Sequence, residues 1–424
     1  MLRIRLDYGN ETGLVLAVAL VILVVLGVMG SAAVIMTRGD LKISGNYKNS
    51  ETAFYVAEAG IEHAREVLRA MNAASVDKNS LSDELASVTG SNGVLDGNVS
   101  GSDDVPLINA VPLGNDSYTV YLTNDSVDGS LNQTDSNKTV VLTSVATGPL
   151  GSQATIESTV KTFDLFRPPG AITLLGNGAT FTGNKSGSKN MHGDDQCGTE
   201  PPKPVVAISH LADVAGVKSA INSSKPETYH TKDSGGNPVT AVTNPDDIAK
   251  VIPQSTVDSI TSTYGTNLLD AVDLNDFVTD VKQLADTVAP GGTAATDVYV
   301  GAPGDTRVVV VDGDFSLNAN GAGILVVTGE LTLQGNINYD GLILVFGTGS
   351  IKRAGGGENI IRGGIIVADT RGPDGIPGTS DDALGPPMMD TSGGGESIII
   401  YCSKVIDDML AGIPPRPISF KHFF

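Results

Sequence analysis

"NETGLVLAVALVILVVLGVMGSAAVIMTRGD", residues 10–40, decides how the rest of the chain is built. Leu14–Met36 runs 23 residues without a charge. At 1.5 Å per residue, a helix of that length crosses the hydrocarbon core of a bilayer. A secretory signal has a shorter apolar region, about 7–15 residues, ending at small residues. Ser31-Ala32-Ala33 offers such an end, so cleavage there and free secretion stand as the competing reading. Arg3 and Arg5 precede the span, while Arg38, Lys42 and Lys48 follow it. Positive charge therefore does not set the orientation.

The next segment, "ETAFYVAEAGIEHAREVLRAMN", places Phe54, Ala57, Ile61, Ala64, Leu68 and Met71 at steps of three and four. Charged residues occupy the other side, so the segment is an amphipathic helix with a narrow apolar stripe. Glu62–Arg65 and Glu66–Arg69 are i,i+3 pairs that add a few tenths of a kcal/mol each. Gly39 and Gly45 stand between span and stripe, and a bend is expected there.

A short leader ending in Gly13, an immediate apolar run and then "GDLKISGNYKNSETAFYVAEAGIEHA" resemble the N-terminus of PilX-type, type IV pilin-like proteins. The resemblance covers roughly residues 10–70. It implies cleavage by a prepilin peptidase after Gly13 and methylation of the new N-terminus, Leu14. It also implies a helix held first in the inner membrane and then packed into a pilus or pseudopilus. The partners it implies are other pilins or minor pilins, the assembly machinery and a tip adhesin. The bulk of the chain would be periplasmic or extracellular, at the pilus or cell surface. Typical major pilins carry glutamate at the fifth mature position, where this chain has Val18. That departure fits a minor, tip-located subunit better than a shaft subunit. The alternative is a membrane-anchored cell-envelope binding or adhesion protein outside any filament.

Composition agrees with export. Lys plus Arg number 27 against 48 Asp plus Glu, a net charge of −21. Such a surface repels phosphates, and no nucleic-acid partner is expected. Glycine makes up 51 of 424 residues, and short aliphatic runs alternate with Gly, Asn, Asp, Ser and Thr, a texture of β structure with many turns. Cys197 and Cys402 are the two cysteines. An oxidising compartment permits a bridge, which in the loop-entropy model is worth about 4–5 kcal/mol; two unpaired thiols are the other reading.

The fold expected is α+β. A leader at 1–13 is followed by a filament-core helix at 14–36, its amphipathic continuation at 37–72 and a pilin-like β domain at 73–165. Within that domain, 73–105 reads as linker or surface loops. "SYTVYLTND", "KTVVLTSVATG" and "SQATIESTVKTF" read as strands of a small antiparallel sheet, the last two joined by a turn at Gly148–Gly151. Phe166-Arg167-Pro168-Pro169-Gly170 marks a boundary, since two prolines stop a ladder.

Residues 166–402 carry a repeat. "VVVVDGDFSL" starts at Val308, "ILVVTGELTL" at Ile324 and "LILVFGTGSI" at Leu342, with a weaker copy from Ile365. The first three share four leading apolar residues, a glycine at the sixth position and an apolar residue at the tenth. An earlier copy starts at Ile172 and a final strand at Ser397. This spacing predicts a β-solenoid-like domain, with an antiparallel sandwich as the alternative. A helical insertion is expected at about 205–290, with caps at Asp246, Ser255 and Asp273, covering an end of the array or binding a partner. A C-terminal helix and tail, 403–424, are expected to pack back on the last coil.

Chemistry-bearing clusters are few. Asp369, Asp374, Asp381 and Asp382 in "DTRGPDGIPGTSDDALG" are candidate calcium ligands of weak, extracellular type, on the order of 10⁻⁴–10⁻³ M. Asp125, Asp128, Asn132 and Asp135 form a second candidate calcium loop, or an ordinary turn. "HGDDQC" holds His192, Asp194, Asp195 and Cys197, too crowded for tetrahedral zinc and better read as a surface loop. No G-x-S-x-G turn, HExxH pair or phosphate loop is present, and Lys352, Arg353 and Arg362 near Asp369 lack a specific acid or nucleophile. The expectation is a non-enzymatic protein.

Overall fold

The computed structural model describes residues 11–75, 80–90, 95, 105–163, 165–183, 189–195, 197–223, 248–293, 298, 300–302, 304–411, 413 and 415–423. Its first element, α1 (Glu11–Ala74), is one helix of 64 residues. Gly39 and Gly45 do not interrupt it; an isolated glycine costs a helix only about 1 kcal/mol. Burial begins at Ala53, and Val56, Ala57, Ile61, Ala64 and Leu68 follow on one face. Phe54 and Met71 are only half-buried, so the stripe is rotated slightly from the expected one.

That face lies on an antiparallel sheet built from β1 (Ile108–Leu113), β2 (Asp116–Asn124), β3 (Thr139–Thr147) and β4 (Gln153–Lys161). Alternate residues of β2, β3 and β4 face the helix, including Val120, Leu122, Leu142, Ile156 and Val160. A short helix, α2 (Ser82–Val88), lies in the stretch read as linker. Its Leu85 and Val88, with Leu81 and Leu95, complete this core. Four apolar residues scattered among polar ones carry no periodic signal, but buried they contribute about 1.5–3 kcal/mol each.

Two further sheets follow, and both are parallel. The first strands are β5 (Ile172–Leu175), β6 (Thr180–Gly183), β7 (Lys189–His192) and β8 (Val206–Ile208), followed by α3 (Leu211–Ser223) and β9 (Ala249–Val251). Then come α4 (Gln254–Tyr264), α5 (Ala271–Leu284) and β10 (Thr287–Pro290). The repeats supply β11 (Val308–Asp312), β12 (Phe315–Leu317), β13 (Gly321–Val327), β14 (Leu331–Gln334), β15 (Ile337–Gly347), β16 (Ser350–Ala354), β17 (Glu358–Asp369), β18 (Met388–Thr391) and β19 (Glu396–Tyr401). One sheet runs β10-β11-β13-β15-β17-β5-β8-β9, with β19 on the N-terminal half of β17 and β7 beyond it; the other runs β12-β14-β16-β18-β6. Neither sheet closes on itself, and the parallel pairing excludes the antiparallel sandwich.

Register explains the repeat. Val309, Leu325, Ile343, Ile365, Ile172, Val206 and Ala249 align across the first sheet, and Phe315, Leu331, Ile351, Met389 and Phe181 across the second. The third copy departs from the expected match. Ile351, its tenth residue, pairs with Leu331, the eighth of the copy before, because the turn at Gly347–Gly349 holds two more residues. The copy from Ile172 stacks beyond β17, not before β11. The chain therefore returns from one edge, β9, to the opposite edge, β10, through α4 and α5.

The helices of 205–290 are interleaved with β8, β9 and β10, which the expectation of a purely helical insertion missed. α3 lies against β6, β8 and β9, and α5 against β11 and β15. Two expected caps are corrected. Pro253 stands at the N-cap of α4, with no side-chain cap bond, so Ser255 is inside the helix. Asp270, not Asp273, caps α5, accepting from the N–H groups of Val272 and Asp273. Asp246 lies outside the described residues.

The C-terminal segment is corrected too. α6 (Ser403–Ala411) packs on β15 and β17. The tail then forms β20 (Arg416–Phe423), antiparallel to β4, and so supplies the fifth strand of the N-terminal sheet. The whole array is thus inserted between two neighbouring strands of that sheet.

Candidate assembly interface

Residues 15–48 of α1 are all exposed, including Val18 at 51% and Leu23 at 69%. Its best 18-residue window has a mean hydropathy of 2.8 and is wholly unburied. An uncharged apolar surface of this extent is not left in water; a bilayer or other apolar helices must cover it. Gly13 and Leu14 lie in the first turns of α1.

Where α1 meets the sheet, contact is close. Ala53, Ala57, Gly60 and Ala64 are small residues at steps of four, three and four, which lets backbone approach strand. A Cβ on Gly60 would lie 2.3 Å from the Ser144 hydroxyl and 3.0 Å from the Tyr118 ring. His63 Nδ1 is 2.9 Å from the Tyr118 hydroxyl, and burial pushes that phenol's pKa up. Gly60→Leu is expected to destabilise the helix–sheet unit by about 3 kcal/mol, the upper range for overpacking. Gly45→Leu, in open space, is expected to cost nothing measurable. Denaturant titration followed by tyrosine near-ultraviolet circular dichroism reads both. Equal midpoints for the two variants would refute the close approach.

The expected ion pairs Glu62–Arg65 and Glu66–Arg69 are present at 2.6 and 2.5 Å. Arg65 also donates through Nε to the carbonyl of Pro415, 2.6 Å away, tying α1 to the chain entering β20. Phe54 meets Phe420 and His422 of β20 edge-on.

In the two acidic loops each candidate ligand is hydrogen-bonded within the chain. Asp369 faces Arg371, Nε–Oδ1 3.1 Å. Asp374 accepts from the Ile376 N–H, Asp381 from the Thr379 hydroxyl, and Asp382 from the Asn275 amide and the Gly378 N–H. In the other loop, Asp125 accepts from the N–H groups of Val127 and Asp128, while Asn132 accepts from the Thr134 N–H. The Ser136 hydroxyl and N–H hold Asp128 below the usual carboxylate range. Asp135 is buried and ties the loop to the start of α2 through the Leu81 N–H, 2.7 Å. Burial pushes its pKa up, against the pull of four backbone N–H donors from Leu81, Asn137, Thr139 and Lys138. Among the described residues, no three His, Cys, Asp or Glu side chains are grouped to hold a metal. Each carboxylate has turned to donors in its own loop or neighbouring helix.

"HGDDQC" is the exception in which the structure brings expected residues together. Cys197 and Cys402 are bonded, with Cα atoms 5.4 Å apart. Asp195, two residues before the first cysteine, accepts from the N–H groups of Gly198 (3.0 Å), Glu200 (2.9 Å) and Ser403 (3.0 Å), and from the Ser403 hydroxyl. It therefore sits on the N-terminus of α6, where the helix dipole favours a carboxylate. Burial raises its pKa, but the Ser403 hydroxyl and the backbone donors outweigh that and hold it below the ordinary value. A folded pKa below the unfolded one means stabilisation complete above about pH 4 and lost as pH falls through the lowered value. Asp195→Asn is expected to reduce stability at neutral pH and to flatten that acid-limb dependence. A parallel acid limb in the variant would show that Asp195 does not carry it. Arg167 reinforces the clasp, pairing with Glu200 and, at 2.6 Å, with Asp407 of α6. Sequence reading missed the Asp195 role because its partner Ser403 is 208 residues away.

Residues 12–62 match the family model described as PilX N-terminal. No curated protein matches the chain. Among solved structures, the crystal structure of the competence-associated pilin ComZ from Thermus thermophilus aligns at 12% identity. That alignment covers 88% of this chain and 97% of that one, with a TM-score of 0.20, too slight a likeness to bear on the fold.

Proposed function

We propose, from a chain whose N-terminal segment is of the PilX type, that this protein is a minor, type IV pilin-like structural subunit. The observation that carries the reading is α1 itself. One unbroken helix is naked and apolar over its first half and the central packing element of a β head over its second. Such a helix sits in the inner membrane before assembly and among the helices of other pilins afterwards. The array is read as solenoid-like, because consecutive strands from β11 to β18 alternate between two parallel sheets. Inserted between β4 and β20, it is carried on the head, where it serves assembly initiation or surface contact. Val18 supports a place at a tip, since no carboxylate within the span is available to meet a neighbour's N-terminal amine. Export through an oxidising compartment accords with the Cys197–Cys402 bridge.

Mass spectrometry of the mature N-terminus, on protein from cells with their own prepilin peptidase, tests the reading. A methylated Leu14, with co-purification in sheared filaments, is the expected result. An intact leader would favour a permanently anchored envelope-binding protein, and a start at Val34 would sink both.

A further inference from the structure

Past the apolar span, α1 changes chemistry within two residues. Arg38, Lys42 and Lys48 follow Met36, with Asp40 the one acid among them, in a chain whose net charge is −21. All four are exposed. Further along the helix, Arg65 and Arg69 are held by Glu62 and Glu66. Arg38, Lys42 and Lys48 have no acid partner and no side-chain hydrogen bond among the described residues. Their spacing explains it. At 3.6 residues per turn, Arg38, Lys42, Gly45 and Lys48 share one face, an arc of about 120°, while Asp40 lies on the opposite side. Nothing stands within 4 Å of a Cβ built at Gly45, so the face is open. Arg38 and Lys42, at i,i+4, are like charges one turn apart, a destabilising pair unless an anion stands between them. Height matters as much as charge. The headgroup layer of a bilayer is about 5–7 Å thick on each side. With Met36 ending the span, Arg38 stands about 3 Å beyond it, Lys42 about 9 Å and Lys48 about 18 Å. Helical side chains lean toward the N-terminus, here toward the span. Lys42 therefore reaches back into that layer, and Lys48 to within a Debye length of it, about 8 Å.

Resting on the reading of α1 as a membrane helix before assembly, we propose that this face binds the headgroups of anionic phospholipids. Arg38 and Lys42 meet them directly, and Lys48 acts at longer range. A zwitterionic headgroup gains little from uncompensated cations, whereas a net negative one gains from each. The acidic head of a second copy offers negative charge too, but the height of Arg38 and Lys42 puts them at the bilayer surface while the helix is in the membrane. The contact is broken when α1 leaves the bilayer. Anionic lipid therefore holds the unassembled subunit in the membrane against extraction.

Native mass spectrometry tests the proposal on the full chain, released from nanodiscs of equal phosphatidylcholine and phosphatidylglycerol with identical acyl chains, by counting the lipids retained. Phosphatidylglycerol is expected in about fivefold excess or more, the preference that one cation confers near an anionic surface. Arg38→Gln with Lys42→Gln should remove the excess, Lys48→Gln should lower it, and Asp40→Asn should not lower it. Rising ionic strength should erode it, because exposed charges are screened. Burial in the head begins at Ala53, so the glutamine variants fold as the parent does. A chain that enters neither neutral nor anionic nanodiscs would sink the membrane-helix reading and the proposal together. Entry into both with equal retention of the two lipids, or an excess unchanged in the double variant, would overturn the proposal alone. Equal retention with dimers that the double variant loses would overturn it in favour of an acidic protein face.

Discussion

Gly341→Ala is expected to abolish folding of the array. Gly323, Gly341 and Gly363 stand in register across β13, β15 and β17, with φ of +107°, +153° and +135°. Each strand bends there, so the backbones stack with no room for a side chain. A Cβ on Gly341 would lie 1.9 Å from the Gly323 carbonyl oxygen, and one on Gly363 equally close to that of Gly341. A left-handed conformation alone costs an alanine about 1–2 kcal/mol. A contact with the rigid backbone of the neighbouring strand, β13, adds a strain that no side-chain movement relieves. The sum is expected to exceed about 4 kcal/mol, the range of exceptional single substitutions. Gly355→Ala is the control: φ is +79°, but nothing lies within 4 Å, so about 1–2 kcal/mol of backbone strain is the whole effect. Urea unfolding of the two variants beside the parent separates them. A Gly341→Ala midpoint no lower than that of Gly355→Ala would refute the glycine stack.

Replacing Cys197 and Cys402 together by serine is expected to lower stability by about 5 kcal/mol. The bridge closes a loop of 205 residues, and a closed loop of this length restricts the unfolded chain strongly in the entropy model. The loss has a structural accent, because Cys402 immediately precedes α6 and α6 leads into β20. Without the bridge, the start of α6 is held by Asp195, Arg167 and the packing of the helix on β15 and β17. The unfolding of β20 from β4 should then become separable from that of the array, visible as earlier hydrogen exchange in residues 416–423. Parent protein treated with reductant should reproduce the double variant. A stability unchanged by either treatment would show that the bridge contributes nothing to the folded chain.

Much of this molecule is periodic, and what is periodic was legible. The apolar span, the strands β2, β3 and β4 and, but for a slight rotation, the stripe expected from Phe54 to Met71 follow from spacings of 3.6 and 2. The copies at Val308, Ile324 and Leu342 pair in parallel because each cannot bury its aliphatic run alone. The sixth-position glycines were visible, but the stacked glycines one or two residues before each run were not singled out. Their need for space comes from a neighbouring strand, which the strand's own sequence does not describe. The candidate site divides in the same way. The span is read from the chain directly, and Gly13 and Leu14 are implied as a processing site by the family resemblance alone, whereas the clasp of Asp195 on Ser403 exists only because residues 208 apart meet.

By itself the sequence determined an apolar helix that must be covered, an amphipathic continuation of it, and a repeat of aliphatic runs with turns between. Those are local facts, set by which side chains recur at the period of a helix or a strand. Only the tertiary structure decided that the copy from Ile172 stacks beyond β17, that the acidic residues serve their own loops, and that β20 completes a sheet begun 300 residues earlier. These depend on which of several chemically similar edges and donors come together. That choice is made by the packing of the whole core, since every strand edge and every carboxylate offers nearly the same local chemistry.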